Sequence, residues 1–360
     1  MPINVARTYL PPLKDFSRYL KKIWKTRWVT NGGEFERELT DKLKDYLDVK
    51  HFVFVANATL GLQVSIKALD LKGEVITTPY SYVATTSSIV WEGCKPVFVD
   101  IDSETLCIDP QKIEKAITKN TSGIVVTHVY GNPCDVVEIK KIANRHNLKI
   151  LYDAAHAFGV KYKNKGIGEY GDMSVFSFHA TKVFHTIQGG GICTNDKQTY
   201  KKVDYMIRFG HKTPISFQGV GINARNSDLH AAIGLCQLKL VKKFVVKRKK
   251  ISDLYKEYLE GLPLTKPKIR PETDYNYAYY PIIFESENQL LKTINFLTKK
   301  GVFPRRYFYP SLDTLDYVNS PPMNISRSIA KRIMCLPIYY ELSFKDVNRI
   351  SDIVRKSFRK

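Results

Sequence analysis

The chain has 360 residues and a formal net charge of +21, with 56 Lys and Arg against 35 Asp and Glu. An apolar content of 44% and an aromatic content of 12% exclude a largely disordered chain, and the length suits a two-domain enzyme. No apolar run is long enough to cross a bilayer, the N-terminus carries no signal-peptide pattern, and six cysteines without Cys-x-x-Cys spacing suggest neither a zinc site nor a disulfide framework, so a cytoplasmic setting without a metal is expected.

In chain order, residues 1–13 read as an extended arm stopped by Pro11-Pro12. Two amphipathic helices follow, over 16–28 and 35–47, separated by the turn-rich Trp28-Val29-Thr30-Asn31-Gly32-Gly33. The apolar runs at 51–55, 74–79, 96–100, 123–129 and 149–153 predict buried strands, with helices between them starting near Leu60, after Tyr82, at Asp109-Pro110 and at Val136. Met173 to Phe178 is a further strand; it exits into a polar turn bearing Lys182, and Gly189-Gly190-Gly191 opens another strand toward Asp196. Such glycines allow either a positive φ or a close approach of backbone to something bulky. Residues 199–249 read as helical and basic, interrupted at 219–226, with Ser227 capping a new helix. From 251 the pattern is a smaller α+β unit: a helix over 251–260, a strand over 277–284, a helix over 286–300, and a last helix opened by Ser343.

Strands alternating with helices predict an α/β fold, a mainly parallel sheet covered on both faces, with ligands at the strand C-terminal ends. The expected division is an arm (1–13), a large domain (14–245) and a small C-terminal domain (246–360). The residues recurring at strand ends are Asn57, Tyr82, Tyr130, Asp153 and Lys182.

Asp153 and Lys182 end two strands joined by a short glycine-bearing excursion, so both can flank one small ring. Pyridoxal phosphate needs that pair: an amine to form a Schiff base and shuttle a proton, and a carboxylate opposite the pyridine nitrogen to keep it protonated. Ala58, Thr59 and Ser177 are candidate phosphate donors, the first two at a helix N-terminus, and Tyr82 is placed as an aromatic lid. Read singly, each of these is also an ordinary cap, core residue or surface lysine.

Together, Trp28-Val29-Thr30-Asn31-Gly32, Thr78-Pro79-Tyr80-Ser81-Tyr82-Val83-Ala84-Thr85, Asp153-Ala154-Ala155-His156-Ala157, Ser177-Phe178-His179-Ala180-Thr181-Lys182 and Gly221-Ile222-Asn223-Ala224-Arg225-Asn226-Ser227-Asp228-Leu229 resemble the nucleotide-sugar aminotransferases of the DegT/StrS family, nearly end to end. The resemblance implies an aspartate-aminotransferase-like fold with a mixed, mainly parallel seven-stranded sheet, and a homodimer with shared active sites. It implies that Lys182 is the cofactor lysine and Asp153 the pyridinium partner. It also places His156 near the cofactor's phenolic oxygen, Tyr82 over the ring, Ala58, Thr59 and Ser177 at the phosphate, and Asn223 at the phosphate of the neighbouring subunit. Asn226, where Met is common, and Asn57-Ala58-Thr59, where Ser/Asn-Gly-Thr is frequent, depart from the family pattern.

Within the family the likeness is to enzymes that aminate dTDP-4-keto-6-deoxy-D-glucose at C-4 with L-glutamate, for O-antigen or other surface glycans; amination at C-3 of a 3-keto-6-deoxyhexose is the alternative. Thr30, Arg225, Arg305 or Arg306, and Tyr307 are the candidate substrate contacts, a guanidinium being suited to a diphosphate. A sugar dehydratase of the same fold would carry histidine in place of Lys182. A non-catalytic regulatory protein would not need the intact Asp153/Lys182 pair. The basic clusters at 242–250, Arg305-Arg306 and Lys331-Arg332 lack any accompanying nucleic-acid motif. The expectation is therefore no nucleic acid and no membrane.

Overall fold

In the computed structural model residues 2–359 are described; Met1 and Lys360, the outermost positions of the expected arm and small domain, lie outside the described residues. The central layer is a seven-stranded sheet in the order His51–Val55, Gly190–Thr194, Met173–Ser177, Lys149–Asp153, Thr121–Thr127, Glu74–Thr77, Lys95–Phe98. Gly190–Thr194 runs antiparallel to both its neighbours and the other adjacent pairs are parallel. Strands such as His-Phe-Val-Phe-Val and Met-Ser-Val-Phe-Ser are buried on both faces, as sheets covered by helices require. One face rests on a large core including Phe35, Leu39, Phe176 and Phe178; the other rests on a core built from Leu62, Ile66, Val175 and Ile192. Helix starts are fixed by side-chain caps: Asn57 accepts from Leu60 N–H at 2.9 Å, Asp135 from Glu138 N–H at 3.1 Å, and Ser343 from Asp346 N–H at 3.0 Å.

The C-terminal part has its own three-stranded sheet (Leu264–Thr265, Tyr280–Phe284, Ile333–Leu336) and its own core, which includes Ile251, Tyr255, Phe284 and Val354.

Several local expectations are corrected. The helix expected over 251–260 is the second half of one continuous helix, Val241–Tyr258, which crosses the boundary placed between 245 and 246. Its Val241 lies in the large core and its Ile251 in the C-terminal core, so the helix ties the two units together. The arm is shorter than expected, because Leu13 already starts a helix, and it is not free: Ile3–Asn4 pairs in parallel with Val302–Phe303. The basic stretch after 199 contains a hairpin, His211–Thr213 with Ser216–Phe217, instead of continuous helix. The helix opened by Asp109-Pro110 ends at Ile113 and tightens into a 3₁₀ turn over Glu114–Ala116. A helix over Asn324–Arg332 was not anticipated.

Candidate active site

The C-terminal ends of the parallel strands converge on a cavity of about 240 Å³. Ala58, Thr59 and Ser177 line it, together with Asp153, His156, Lys182, Tyr82, Tyr279, Arg305 and Tyr307 among others. Ala58 and Thr59 are the first residues of helix Ala58–Ala68, so their amides have no intrahelical acceptor and can meet an anion. The triple glycine owes nothing to positive φ, since none of the three has one; close approach explains it. A Cβ on Gly190 would sit 2.8 Å from Ala58 N, and one on Gly191 would sit 2.3 Å from the Phe52 ring. Side chains there would push the strand off the helix N-terminus that borders the cavity.

Asp153 is 4% exposed. Its Oδ2 accepts from the Thr85 hydroxyl at 2.6 Å and its Oδ1 from Ala155 N–H at 3.0 Å. Thr85 is held in turn by Ser81, whose hydroxyl also meets that of Thr127; both distances are 2.8 Å. Burial raises the Asp153 pKa, opposed by Thr85, the Ala155 amide and the charge of Lys182. Burial lowers the Lys182 pKa, with Asp153 the main opposing charge. The Lys182 ammonium donates to the Tyr279 hydroxyl at 3.1 Å. Burial holds His156 well below its ordinary pKa, with the Lys182 charge in the same direction, so the ring is neutral. Tyr130 N–H donates to His156 Nδ1 at 3.2 Å, which assigns the ring proton to Nε2. The His156 ring stacks on Phe308, with centroids 5.4 Å apart and planes 10° apart.

These residues fit pyridoxal phosphate. A buried carboxylate with only neutral donors on its oxygens wants a positive partner, and a pyridinium N–H supplies one. Free helix-start amides suit the phosphate, and a desolvated lysine suits the aldehyde.

Four expected contacts lie outside this cavity. Arg306 is the first: its guanidinium donates to Glu287 at 2.6 Å and to the Lys331 carbonyl at 3.0 Å, and stacks on Tyr309 at 3.6 Å. Arg305 is the arginine of that pair that lines the cavity, with its guanidinium 4.8 Å from the Tyr307 ring centroid. Thr30, Asn223 and Arg225 do not line it either. The Thr30 carbonyl accepts from Asp228 N–H at 3.0 Å. Asn223 is exposed and bridges Arg208, whereas Arg225 is half-buried and pairs by backbone with Val55. The departure at Asn226 has a structural use: its amide donates to the Gln188 carbonyl at 2.9 Å and fixes the loop before the glycines.

Sequence reasoning missed Thr85 and Tyr279. A hydroxyl one turn into the helix after Tyr82 was a usable signal for Thr85. Tyr279 gave none, since it lies 97 positions from the lysine it meets.

The profile of the DegT/DnrJ/EryC1/StrS aminotransferase family matches residues 13–355. The chain is 41% identical to dTDP-4-amino-4,6-dideoxy-D-glucose transaminase of Shigella dysenteriae, with 99% of each chain covered. It is 39% identical to the transaminase of that name from Escherichia coli, with 98% of each covered. Among solved structures, DesI in the presence of its TDP-sugar product superposes with a TM-score of 0.94 at 30% identity, covering 99% of this chain and 93% of that one.

Proposed function

The chain belongs to the DegT/DnrJ/EryC1/StrS aminotransferase family, and on that footing we propose that it moves the amino group of L-glutamate to C-4 of dTDP-4-keto-6-deoxy-D-glucose, yielding dTDP-4-amino-4,6-dideoxy-D-glucose for a surface glycan. It is an aminotransferase and uses pyridoxal phosphate. The observation that carries the reading is buried Asp153 sharing one cavity with Lys182 beside the open amides of Ala58 and Thr59. What favours C-4 over C-3 is the near full-length likeness to transaminases named for the 4-amino product.

Bound pyridoxal phosphate supplies an electrophilic carbonyl and a ring that accepts electrons. The protein's part is binding, orientation and proton control. Ala58, Thr59 and Ser177 receive the phosphate. Asp153 holds the proton on the pyridine nitrogen, its own carboxylate steadied by Thr85. Neutral His156 offers Nε2–H to the phenolic oxygen. Lys182 anchors the cofactor and, when its Nζ is free, carries the proton on and off the substrate carbon; its lowered pKa keeps a larger neutral fraction available as base. Tyr82, 52% exposed at the cavity mouth, covers the ring. Arg305 and Tyr307 face the sugar nucleotide.

A coupled assay supplying dTDP-4-keto-6-deoxy-D-glucose and glutamate tests the reading. The expected product carries nitrogen at C-4 by NMR; nitrogen at C-3, or no product, overturns it.

Arg305→Gln should raise KM for the sugar nucleotide about 10- to 100-fold, the loss of one charged hydrogen bond, and spare the glutamate half-reaction, since glutamate has no diphosphate. Arg306→Gln should instead lower stability by about 1–3 kcal/mol, with KM unchanged, because it loses the Glu287 contact. Steady-state kinetics and thermal melts of the two variants separate these roles.

The assembly proposed is a homodimer with shared sites. Ile215, Phe217 and Val220, on or beside the hairpin that precedes Asn223, are exposed, and this apolar stretch suits a partner subunit. If Asn223 completes the neighbouring site, mixing inactive Lys182→Ala with inactive Asn223→Asp subunits regenerates activity, because both lesions can fall on one site of the two-fold dimer. No recovery despite demonstrated subunit exchange would rule out sharing.

A further inference from the structure

A second cavity, of about 320 Å³, lies behind the inner wall of the active site. The two cavities share Tyr279, and Tyr130, which lines the second, donates its amide to His156 of the first. The lining is rich in aromatic rings: Tyr275, Tyr277 and Tyr280 join those two tyrosines. Its charged groups are Lys256, Lys266 and Asp253. Asp253 is already paired, with Lys249 at 2.8 Å, whereas Lys256 and Lys266 have no carboxylate partner among the described residues. Lys266 lies over the Tyr280 ring, 5.1 Å from its centroid. The Asp253 charge still reaches Lys266, so two ammonium groups face one carboxylate that is shared with Lys249, and a tyrosine-walled cavity with that net positive charge can receive a flat ring that carries an anion.

We propose that this cavity is a second binding site, separate from the catalytic one, for a small phosphorylated aromatic molecule such as a nucleoside monophosphate. The ring packs among Tyr275, Tyr277 and Tyr280, and the phosphate meets Lys256 and Lys266. Occupancy also has a route to the catalytic groups. The Tyr279 hydroxyl accepts from Lys182 Nζ at 3.1 Å. The Tyr275 hydroxyl donates to the Tyr130 carbonyl at 2.9 Å, and the Tyr130 amide donates to His156 Nδ1. A ligand that moves either tyrosine therefore shifts a neighbour of Lys182 or His156. This coupling rests on the function proposed above; the binding site does not.

The test is trace acetylation of the holoenzyme with acetic anhydride, read lysine by lysine by mass spectrometry. Thymidine monophosphate at ten times its Kd should slow Lys256 and Lys266 about tenfold by occupancy, while exposed Lys119 is unchanged. Lys266→Gln should weaken that protection at Lys256. A parallel arm with pyridoxine phosphate separates the two sources of such chemistry, a nucleotide or a cofactor-like ring, and protection by either supports the site. Equal protection by inorganic phosphate alone removes the role of the tyrosines and overturns the proposal, as does no protection by any probe. Since the readout needs no turnover, protection in an enzyme that fails the transamination assay would leave this site standing and count only against the proposed function. Where both hold, a shift of the cofactor's visible absorption on adding the protecting ligand reports the coupling; an unchanged spectrum at full protection overturns it.

Discussion

Purified Lys182→Ala is expected to show no multiple turnover with glutamate and the keto sugar. Two losses combine. The amine that anchors the cofactor disappears, and so does the only amine that, among the described residues, lines the cavity and can move a proton at the substrate carbon. Its hydrogen-bond partner Tyr279 cannot substitute, because burial raises that hydroxyl's pKa and keeps it protonated. General acid–base catalysis alone is worth roughly 10²–10⁴-fold, and the covalent anchor adds to that, so activity should fall below detection. Cofactor should also wash out on dialysis, a readout independent of the reaction. Sustained turnover by the purified variant would remove Lys182 from its assigned role.

Asp153→Asn should remain folded and lose about 10²–10⁴-fold in turnover. Asparagine keeps the shape and can still accept from Thr85 or the Ala155 amide, but it cannot balance a positive pyridine nitrogen. The carboxylate is buried and its pKa is raised, so in the cofactor-free protein it is a cost and not a support. The sign follows from proton counting. A carboxyl with a raised folded pKa binds more protons folded than unfolded, so its contribution falls as pH rises from its ordinary value of 3.8 through the folded value. The apo variant should therefore melt no lower than apo wild type at neutral pH, and its stability should depend less on pH across that window. A large drop in apo melting temperature, or near wild-type turnover, would make Asp153 structural.

Much of this protein is legible in one dimension. Short apolar runs followed by helix starts at Asn57 and Ser227 mark strand–helix alternation, because a strand buried on both faces must be apolar throughout and a helix start must satisfy its free amides. Lys182, Asp153 and Ala58-Thr59 follow from the same logic, since each sits where a parallel strand ends. The strand order is not legible in that way: Gly190–Thr194, which follows Met173–Ser177 in the chain, inserts antiparallel between it and His51–Val55, the earliest strand of the seven-stranded sheet.

What the sequence determined by itself was local: element types, the family motifs, and the residues that strand ends present. The tertiary structure decided which long-range partners complete them. Arg305 and Arg306 are adjacent and chemically identical, and only the placement of Glu287 and Tyr309 turns one away while the other faces the cavity. Tyr279, packed against the large core, meets Lys182, and the helix Val241–Tyr258 runs through an expected domain boundary because it places Val241 in one core and Ile251 in the other. Contacts of that kind depend on distances in space between residues far apart in the chain, and neither composition nor periodicity carries that information.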